Sequence, residues 1–168
     1  MRFCFLMVSL LAGCGGAAVP GSVHFELGTA DILGDGFLPL KGDQTLVSGA
    51  QGGFHIWLKY RAYGMSGQTV RMLETARRDD SGDLVRKSPL LEEQVGSAGD
   101  EGYFEEERAR PGFMCPAPLG VKVRDQSIHF EVKFMDGQDH PLDKQGTSVT
   151  VRCPSGDGQE YCEKVCSG

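Results

Sequence analysis

The residues that most clearly suggest chemistry are four cysteines in the second half of the chain. Cys115, Cys153, Cys162 and Cys166 can form two disulfides in an oxidising compartment, or can offer four thiolates to a zinc ion. Cys162 and Cys166 are separated by three residues, which matches neither a zinc ribbon nor a Cys-x-x-Cys redox pair. We therefore expect two disulfides and no cofactor, with zinc as the alternative.

Four cysteines allow three pairings, and the expected sheet disfavours one of them. If residues 119–124 and 127–135 run antiparallel, Cys115 and Cys153 lie at opposite ends of the sheet. Eight residues of strand span about 26 Å, whereas the Cα atoms of a disulfide are about 4.4–6.8 Å apart. The expected pairings therefore join Cys153 to one of the two C-terminal cysteines and Cys115 to the other, without choosing between them.

The four histidines give no sign of a metal site. His24, His55 and His129 fall on the polar faces of predicted strands, and His140 lies in a loop before a proline. A copper or zinc site needs several ligands to converge, and nothing in the spacing brings these imidazoles together. We expect solvent-facing histidines. A metal-binding protein that uses histidines or the C-terminal cysteines is kept as an alternative.

The acidic residues also fail to form a recognisable site. Asp79, Ser81 and Asp83 match the opening of a calcium loop, but Leu84 stands where that loop needs glycine. Adjacent side chains in Glu105–Glu107 point in different directions, and we interpret them as a solvated charged run. The sequence contains neither a Gly-x-Ser-x-Gly motif nor a Walker phosphate loop. We expect no enzyme, and a hydrolase with an unrecognised site is a further alternative.

The most regular strand is predicted at residues 54–62. Its apolar residues fall on one face, and the other face carries His55, Trp57, Lys59 and Arg61. An exposed tryptophan on a sheet can serve as a platform for a ligand or partner. The same pattern also fits a central strand that is buried on both faces. These four residues are the candidate binding surface, and both interpretations stay open.

The elements that must position these residues are short strands separated by glycine-rich turns. We predict strands at residues 23–27, 44–47, 54–62, 69–76, 84–87, 121–123, 128–135 and 148–152. Residues 90–95 and 103–110 fit either a strand or a helical turn, and residues 111–118 are predicted to be irregular. This pattern predicts an all-β protein, an antiparallel β-sandwich of about seven to nine strands.

The order and spacing of strands over residues 22–153 resemble an immunoglobulin-like or fibronectin-type domain. The antibody Cys–Trp–Cys spacing is absent, so the resemblance is one of fold. A jelly roll or a small barrel is the alternative. Residues 154–168 are expected to form a C-terminal tail that disulfides hold to the sandwich.

The N-terminus carries a short export pattern. Arg2 precedes an apolar run over residues 3–12, which is too short to span a bilayer and fits a secretory signal. Its end, Leu11-Ala12-Gly13-Cys14, resembles the lipobox of bacterial lipoproteins. This resemblance implies cleavage before Cys14 and a diacylglyceryl group on its thiol. Residues 1–13 would then be the signal peptide and residues 14–21 a lipidated linker.

The resemblance also implies an address and a partner. The residue after the lipidated cysteine is Gly15 rather than aspartate, which implies an outer-membrane destination in the cell envelope. The chain has a net charge of −6, which gives no electrostatic reason to bind nucleic acid. We expect a membrane partner through the lipid, together with another envelope protein or a glycan. The hypothesis is a non-catalytic envelope module for binding or assembly.

Overall fold

The computed structural model describes residues 22–117 and 120–168. The predicted signal peptide and lipidated linker, residues 1–21, lie outside the described residues. Within the described ranges, no helix is both long enough and apolar enough to cross a bilayer.

The described residues form twelve strands and one short helix. In chain order these are β1 (His24–Thr29), β2 (Leu38–Pro39), β3 (Gly42–Thr45), β4 (Val47–Ser48), β5 (Phe54–Tyr63), β6 (Thr69–Arg78), β7 (Leu84–Lys87), β8 (Leu91–Gln94), β9 (Tyr103–Glu105), β10 (Arg110–Cys115), β11 (Ser127–Met135), β12 (Pro141–Arg152) and α1 (Gln159–Val165). The predicted fold class, a β-sandwich, is confirmed. The strand count exceeds seven to nine because several of the strands have only two to four residues.

The strands make two sheets of six. Sheet 1 has the order β10-β5-β1-β2, and β4 and β9 also pair with β5. Sheet 2 has the order β3-β12-β11-β6-β7, and β8 also pairs with β6. Strand β3 runs parallel to β12, whereas the other described pairs are antiparallel. Strand β5 therefore lies at the centre of sheet 1, with neighbours along both of its edges.

The core lies between the sheets and follows the predicted alternation. The inward residues of β5 are all buried, as are those of β11, which are Ile128, Phe130, Val132 and Phe134. At one end of the core, the rings of Phe25 and Phe134 stack with their centroids 4.0 Å apart. The predicted inner faces of these two strands are confirmed.

Two of the segments that differ from the prediction bear on the disulfides. Residues 121–123 form no strand, because the N–H groups of Val123 and Arg124 donate to the carbonyl of Cys166 instead of to a sheet. Residues 110–115 form strand β10 despite Pro111, because β10 is an edge strand, where a residue without an N–H is tolerated. The antiparallel pairing with residues 127–135, which was expected to disfavour one disulfide pairing, is therefore wrong for residues 121–123.

The disulfides nevertheless follow one of the two expected pairings. Cys115 is bonded to Cys166 with a Cα–Cα distance of 5.1 Å, and Cys153 to Cys162 with a distance of 5.8 Å. Cys162, within α1, and Cys166, at its C-terminal end, are fully buried in the core. The C-terminal segment thus covers one end of the sandwich.

A loop between β1 and β2 covers the outer face of β5. The Phe37 ring lies with its centroid 4.0 Å from the guanidinium carbon of Arg61. Directly beneath this ring is Gly28, which pairs with Lys59 in the β1–β5 register. A Cβ atom at residue 28 would lie 2.6 Å from Cε2 of Phe37, closer than real Cβ atoms approach. The loop can lie flat on the sheet only because this residue has no side chain.

We predict that Gly28→Ala destabilises the protein by about 1–3 kcal/mol, the usual cost of overpacking. The added methyl group must push Phe37 and its loop off the sheet. The measurement is the free energy of unfolding in urea. Gly137→Ala is the matched control, because a Cβ at residue 137 meets no atom within 4 Å. Equal stabilities of the two variants would contradict the close packing of this loop.

Candidate functional site

The structure divides the four residues of the candidate binding surface. His55 and Lys59 are only 4% and 3% exposed, and Trp57 and Arg61 are partly buried. The expectation that His55 faces solvent was wrong. Lys59 donates to Oε1 of Glu105 at 3.0 Å, which neutralises its buried charge. The outer face of β5 is therefore largely a second buried face, and a partner cannot reach His55 or Lys59 directly.

The exposed part of this region is the loop that covers β5. Ile32 and Leu33 are 68% and 78% exposed, the highest values among the large apolar side chains that stand out from the described surface. Below them, the indole Nε1 of Trp57 lies 3.3 Å from the carbonyl oxygen of Ile32, to which it donates. We call Ile32 and Leu33 the apolar tip.

The backbone of the tip is fixed by Asp31. Its Oδ1 accepts the N–H of Leu33 at 2.8 Å and that of Asp35 at 2.9 Å. The N–H of Gly34 donates to the carbonyl of Asp31 at 3.0 Å, and Gly34 has a φ of 88°. A left-handed φ is natural for glycine, so this turn is unstrained. The chain thus holds two apolar side chains outward on a hydrogen-bonded turn.

A small cavity lies where this loop meets the sheet. Its volume is about 130 Å³, and its walls include Thr29, Gln44 and Trp57. Pockets for drug-sized ligands usually measure about 300–1,000 Å³. The cavity suits a few water molecules, and we do not interpret it as a ligand site.

The surroundings of His55 are aromatic. Its ring meets that of Trp57 edge-on at a centroid distance of 4.4 Å and lies 5.7 Å from that of Phe113. Neither ring nitrogen has a hydrogen-bond partner among residues 22–117 and 120–168. Burial, together with the charge of Arg86, lowers the pKa of His55, so the imidazole is held neutral. Phe113 is itself well exposed and extends the apolar character of this face.

A buried charge network connects the edge strands of the two sheets. Glu74 is 3% exposed at an inward position of β6, between two apolar inward residues. Nη2 of Arg86, on β7, lies 3.0 Å from a Glu74 oxygen. Arg110, at the start of β10, lies 3.8 Å from the other Glu74 oxygen. These ion pairs compensate a charge that would be costly to bury alone.

Glu106 is the unusual member of this network. Burial, to which the carboxylates of Glu93 and Glu74 add, raises the pKa of Glu106 to about 8, although the charge of Arg110 acts in the opposite direction. An oxygen of Glu106 lies 2.8 Å from Nε of Arg110. The prediction of a solvated run at Glu105–Glu107 was therefore wrong for Glu106, which is 4% exposed.

The network has the chemistry of an acid–base pair but not the access. General acid and general base catalysis require two carboxyl groups in different environments, and Glu106, with its raised pKa, lies near the ion-paired Glu74. Both side chains are almost completely buried, so a substrate cannot reach either carboxyl group. We interpret the network as a structural closure of the sandwich edge.

A serine, a histidine and an aspartate also meet on the outer face of sheet 2. Ser148 Oγ donates to Asp79 Oδ1 at 3.1 Å and lies 3.1 Å from Nδ1 of His129. With the Ser148 hydroxyl donating to this carboxylate, the consistent tautomer of His129 donates to Oγ and does not accept from it. A nucleophilic serine needs the opposite arrangement, with the imidazole as base. This cluster is therefore a surface hydrogen-bond network.

The remaining candidates fit no metal site. His24 and His140 are exposed, as expected, and each lies beside one carboxylate, that of Asp143 and Asp136 respectively. Within residues 22–117 and 120–168, three potential ligand side chains converge only at Cys153, Cys162 and Cys166. Their sulfurs are used in disulfides, so none of these three residues offers a free thiolate to a metal in the oxidised protein.

The sequence offered signals for some of the residues that it missed. Glu74 interrupts the inward series of Val70, Met72 and Ala76, so the alternation alone placed a carboxylate in the core. The adjacent apolar pair Ile32 and Leu33 in a glycine-rich loop was a signal of an exposed apolar tip. No local pattern distinguished Glu106 from its two neighbours, because its burial depends on β10 and β6.

Comparisons with known proteins give no family. No family model matches the chain, and no curated protein matches it. Among solved structures, a similar one is the crystal structure of Bacteroides uniformis beta-glucuronidase, with 11% sequence identity and a TM-score of 0.38. The match covers 75% of this chain and 13% of the glucuronidase chain.

We predict that the buried Glu106 makes the protein less stable as the pH rises from about 4.5 to about 8. The folded state, with the raised pKa, binds more protons than the unfolded state in this window, so ionisation favours unfolding. Each unit of pKa shift corresponds to about 1.4 kcal/mol. The wild-type protein should therefore lose free energy of unfolding between pH 5 and pH 9, as measured by urea unfolding. The Glu106→Gln variant should lose less, because it lacks the carboxyl group that ionises.

Glu107→Gln is the matched control, because Glu107 is exposed in the same segment. It should leave the pH dependence of the wild-type protein unchanged. A Glu106→Gln variant with the same pH dependence as the wild-type protein would contradict the assignment of Glu106 as the titrating buried group.

Proposed function

We propose that this chain is a lipid-anchored protein of the bacterial cell envelope, with an outer-membrane destination, and that its β-sandwich is a non-catalytic module for binding or assembly. The observation that carries the binding role is the apolar tip, Ile32 and Leu33, held outward on the covered face of β5. Exposed apolar groups on a folded surface commonly mark sites of interaction.

The anchoring part of the proposal comes from the N-terminal sequence. Leu11-Ala12-Gly13-Cys14 follows an apolar run of signal-peptide length. Two disulfides, Cys115–Cys166 and Cys153–Cys162, agree with export, because such bonds persist mainly in oxidising compartments. The signal-like N-terminus and the disulfides thus support export independently of each other.

The non-catalytic part rests on the candidate sites themselves. The Glu74–Glu106 network is closed to substrate, and Ser148 lacks a base oriented to accept its proton. In the part of the chain that the structure describes, the buried imidazole of His55 has no hydrogen-bond partner. None of these groups combines access with a second group in a catalytic geometry. Turnover of cell-wall or glycan substrates by the purified protein would contradict this part of the proposal.

We predict that Cys14 carries lipid in protein produced in a bacterial host. Mass spectrometry of the N-terminal peptide should show Cys14 as the first residue, with its acyl chains attached. Cys14→Ala should remove the lipid and release the protein from the membrane fraction. The acyl chains attached at Cys14 are the proposed anchor, and stable anchoring requires two or more of them. Cys4→Ala is the matched control, since Cys4 lies within the proposed signal peptide, and it should leave lipidation intact. An unmodified Cys14, or a different amino terminus, would contradict the proposal.

A further inference from the structure

We propose that the apolar tip is a second, non-covalent membrane contact, in which Ile32 and Leu33 enter the lipid surface that holds the anchor. This inference rests on the proposed lipid anchor at Cys14 and names the partner of the tip. The lipid fixes the protein to the membrane, and the tip then sets the orientation of the sandwich on it.

The shape of the tip fits a lipid surface better than a protein partner. Ile32 and Leu33 are adjacent at the top of a turn and project into solvent. Together they offer a small convex contact, whereas a stable protein interface buries about 800 Å² on each partner. A lipid surface accepts a small convex group because the lipid molecules rearrange around it.

The length of the chain between the anchor and the fold permits this contact. Seven linker residues, 15–21, reach about 25 Å at most when extended. Strand β1 has six residues and is about 20 Å long, and the tip follows shortly after its end. The linker is therefore long enough for the tip to reach the membrane that holds Cys14, even when β1 is perpendicular to the membrane plane.

The lipid anchor also explains how so small a contact can matter. Two side chains are too few for stable membrane binding by a free protein. Once the protein is tethered, insertion becomes an intramolecular step at a high effective concentration. The tip needs only to favour one orientation over the others.

The charges near the tip determine which membrane it prefers. Asp31 and Asp35 flank the tip and are exposed, and the whole chain has a net charge of −6. Anionic headgroups would repel this end of the molecule. We therefore expect insertion into zwitterionic vesicles, and weaker insertion when anionic lipid is added at low salt.

Trp57 allows a direct test, because it is the single tryptophan of the chain and its indole bonds to the carbonyl of Ile32. The full lipidated protein is reconstituted into phosphatidylcholine vesicles with bromines either near the headgroup or deep in the acyl chains. Cys14 lipidation is verified by mass spectrometry. We expect a loss of Trp57 fluorescence that is larger with the shallow bromines than with the deep ones.

Two variants, one with a double substitution and one with a single substitution, make the test specific. Ile32→Asp combined with Leu33→Asp should abolish the quenching, while the protein still floats with the vesicles through its lipid. Leu90→Asp is the matched control, since Leu90 is another exposed leucine, 41% exposed and next to β8, and it should quench like the wild-type protein.

The failures of the two proposals are distinguishable. Absence of lipid on Cys14 overturns the proposed anchor and this inference with it. A lipidated, vesicle-bound protein without quenching overturns only the membrane contact, as does quenching that survives in the Ile32→Asp, Leu33→Asp variant. A tip that is silent to brominated lipid but crosslinks to a second copy or to another envelope protein also overturns it.

Discussion

The structure depends on the burial of β5 on both of its faces. The inner face packs into the core between the sheets, and the outer face is covered by the loop that carries Phe37. Gly28 makes this cover possible, because the Phe37 ring occupies the space that a side chain would need. Covering one face of a central strand with a short loop leaves the top of that loop in solvent. The exposed tip is thus a consequence of how β5 is buried.

Polar groups within this arrangement are compensated in pairs. Lys59 is neutralised by Glu105 on the outer face, and Glu74 by Arg86 at the sandwich edge. Removing one partner of such a buried pair leaves an unpaired charge, which costs far more than the pair itself contributes. The charged residues of the interior therefore act as constraints on strand position. They do not form an accessible reaction centre.

The C-terminal segment completes the sandwich by covalent means. The bond between Cys115 and Cys166 joins β10 of sheet 1 to the end of α1, across 51 residues of sequence. The bond between Cys153 and Cys162 joins the end of β12 to α1, across 9 residues. A helix of seven residues is too short to be stable alone in water. Its position is fixed by these bonds and by the burial of its cysteines.

Strands with uninterrupted alternation could be predicted from the sequence, and those that depend on distant partners could not. Strand β7 was predicted with its observed bounds, and β5 and β11 to within a residue at each end. Strand β12 begins at Pro141, seven residues earlier than predicted, because its first half is polar and is held by pairing with β11. The short alternating segment at residues 121–123 satisfies its N–H groups at the C-terminus, which no local pattern reveals.

The same distinction applies to the candidate site. The residues of the outer face of β5 were identified, but their exposure depended on the β1–β2 loop and on strands β9 and β10, whose packing the sequence does not encode locally. His55 and Lys59 have the polar character of surface residues, but the rings of Trp57 and Phe113 pack against His55, and Glu105 pairs with Lys59. Trp57 was correctly recognised as informative, since it lies directly under the tip.

The burial of the outer face of β5 is tested most directly by the acetylation rates of individual lysines in the native protein. Lys59 and Lys144 are both ion-paired, with nitrogen–oxygen distances of 3.0 and 3.2 Å, but their side chains are 3% and 62% exposed. Because ion pairing is common to both, a difference in rate reports burial. We predict that Lys59 reacts much more slowly than Lys144 in the folded protein and at a similar rate after denaturation. Equal rates in the folded protein would contradict the account.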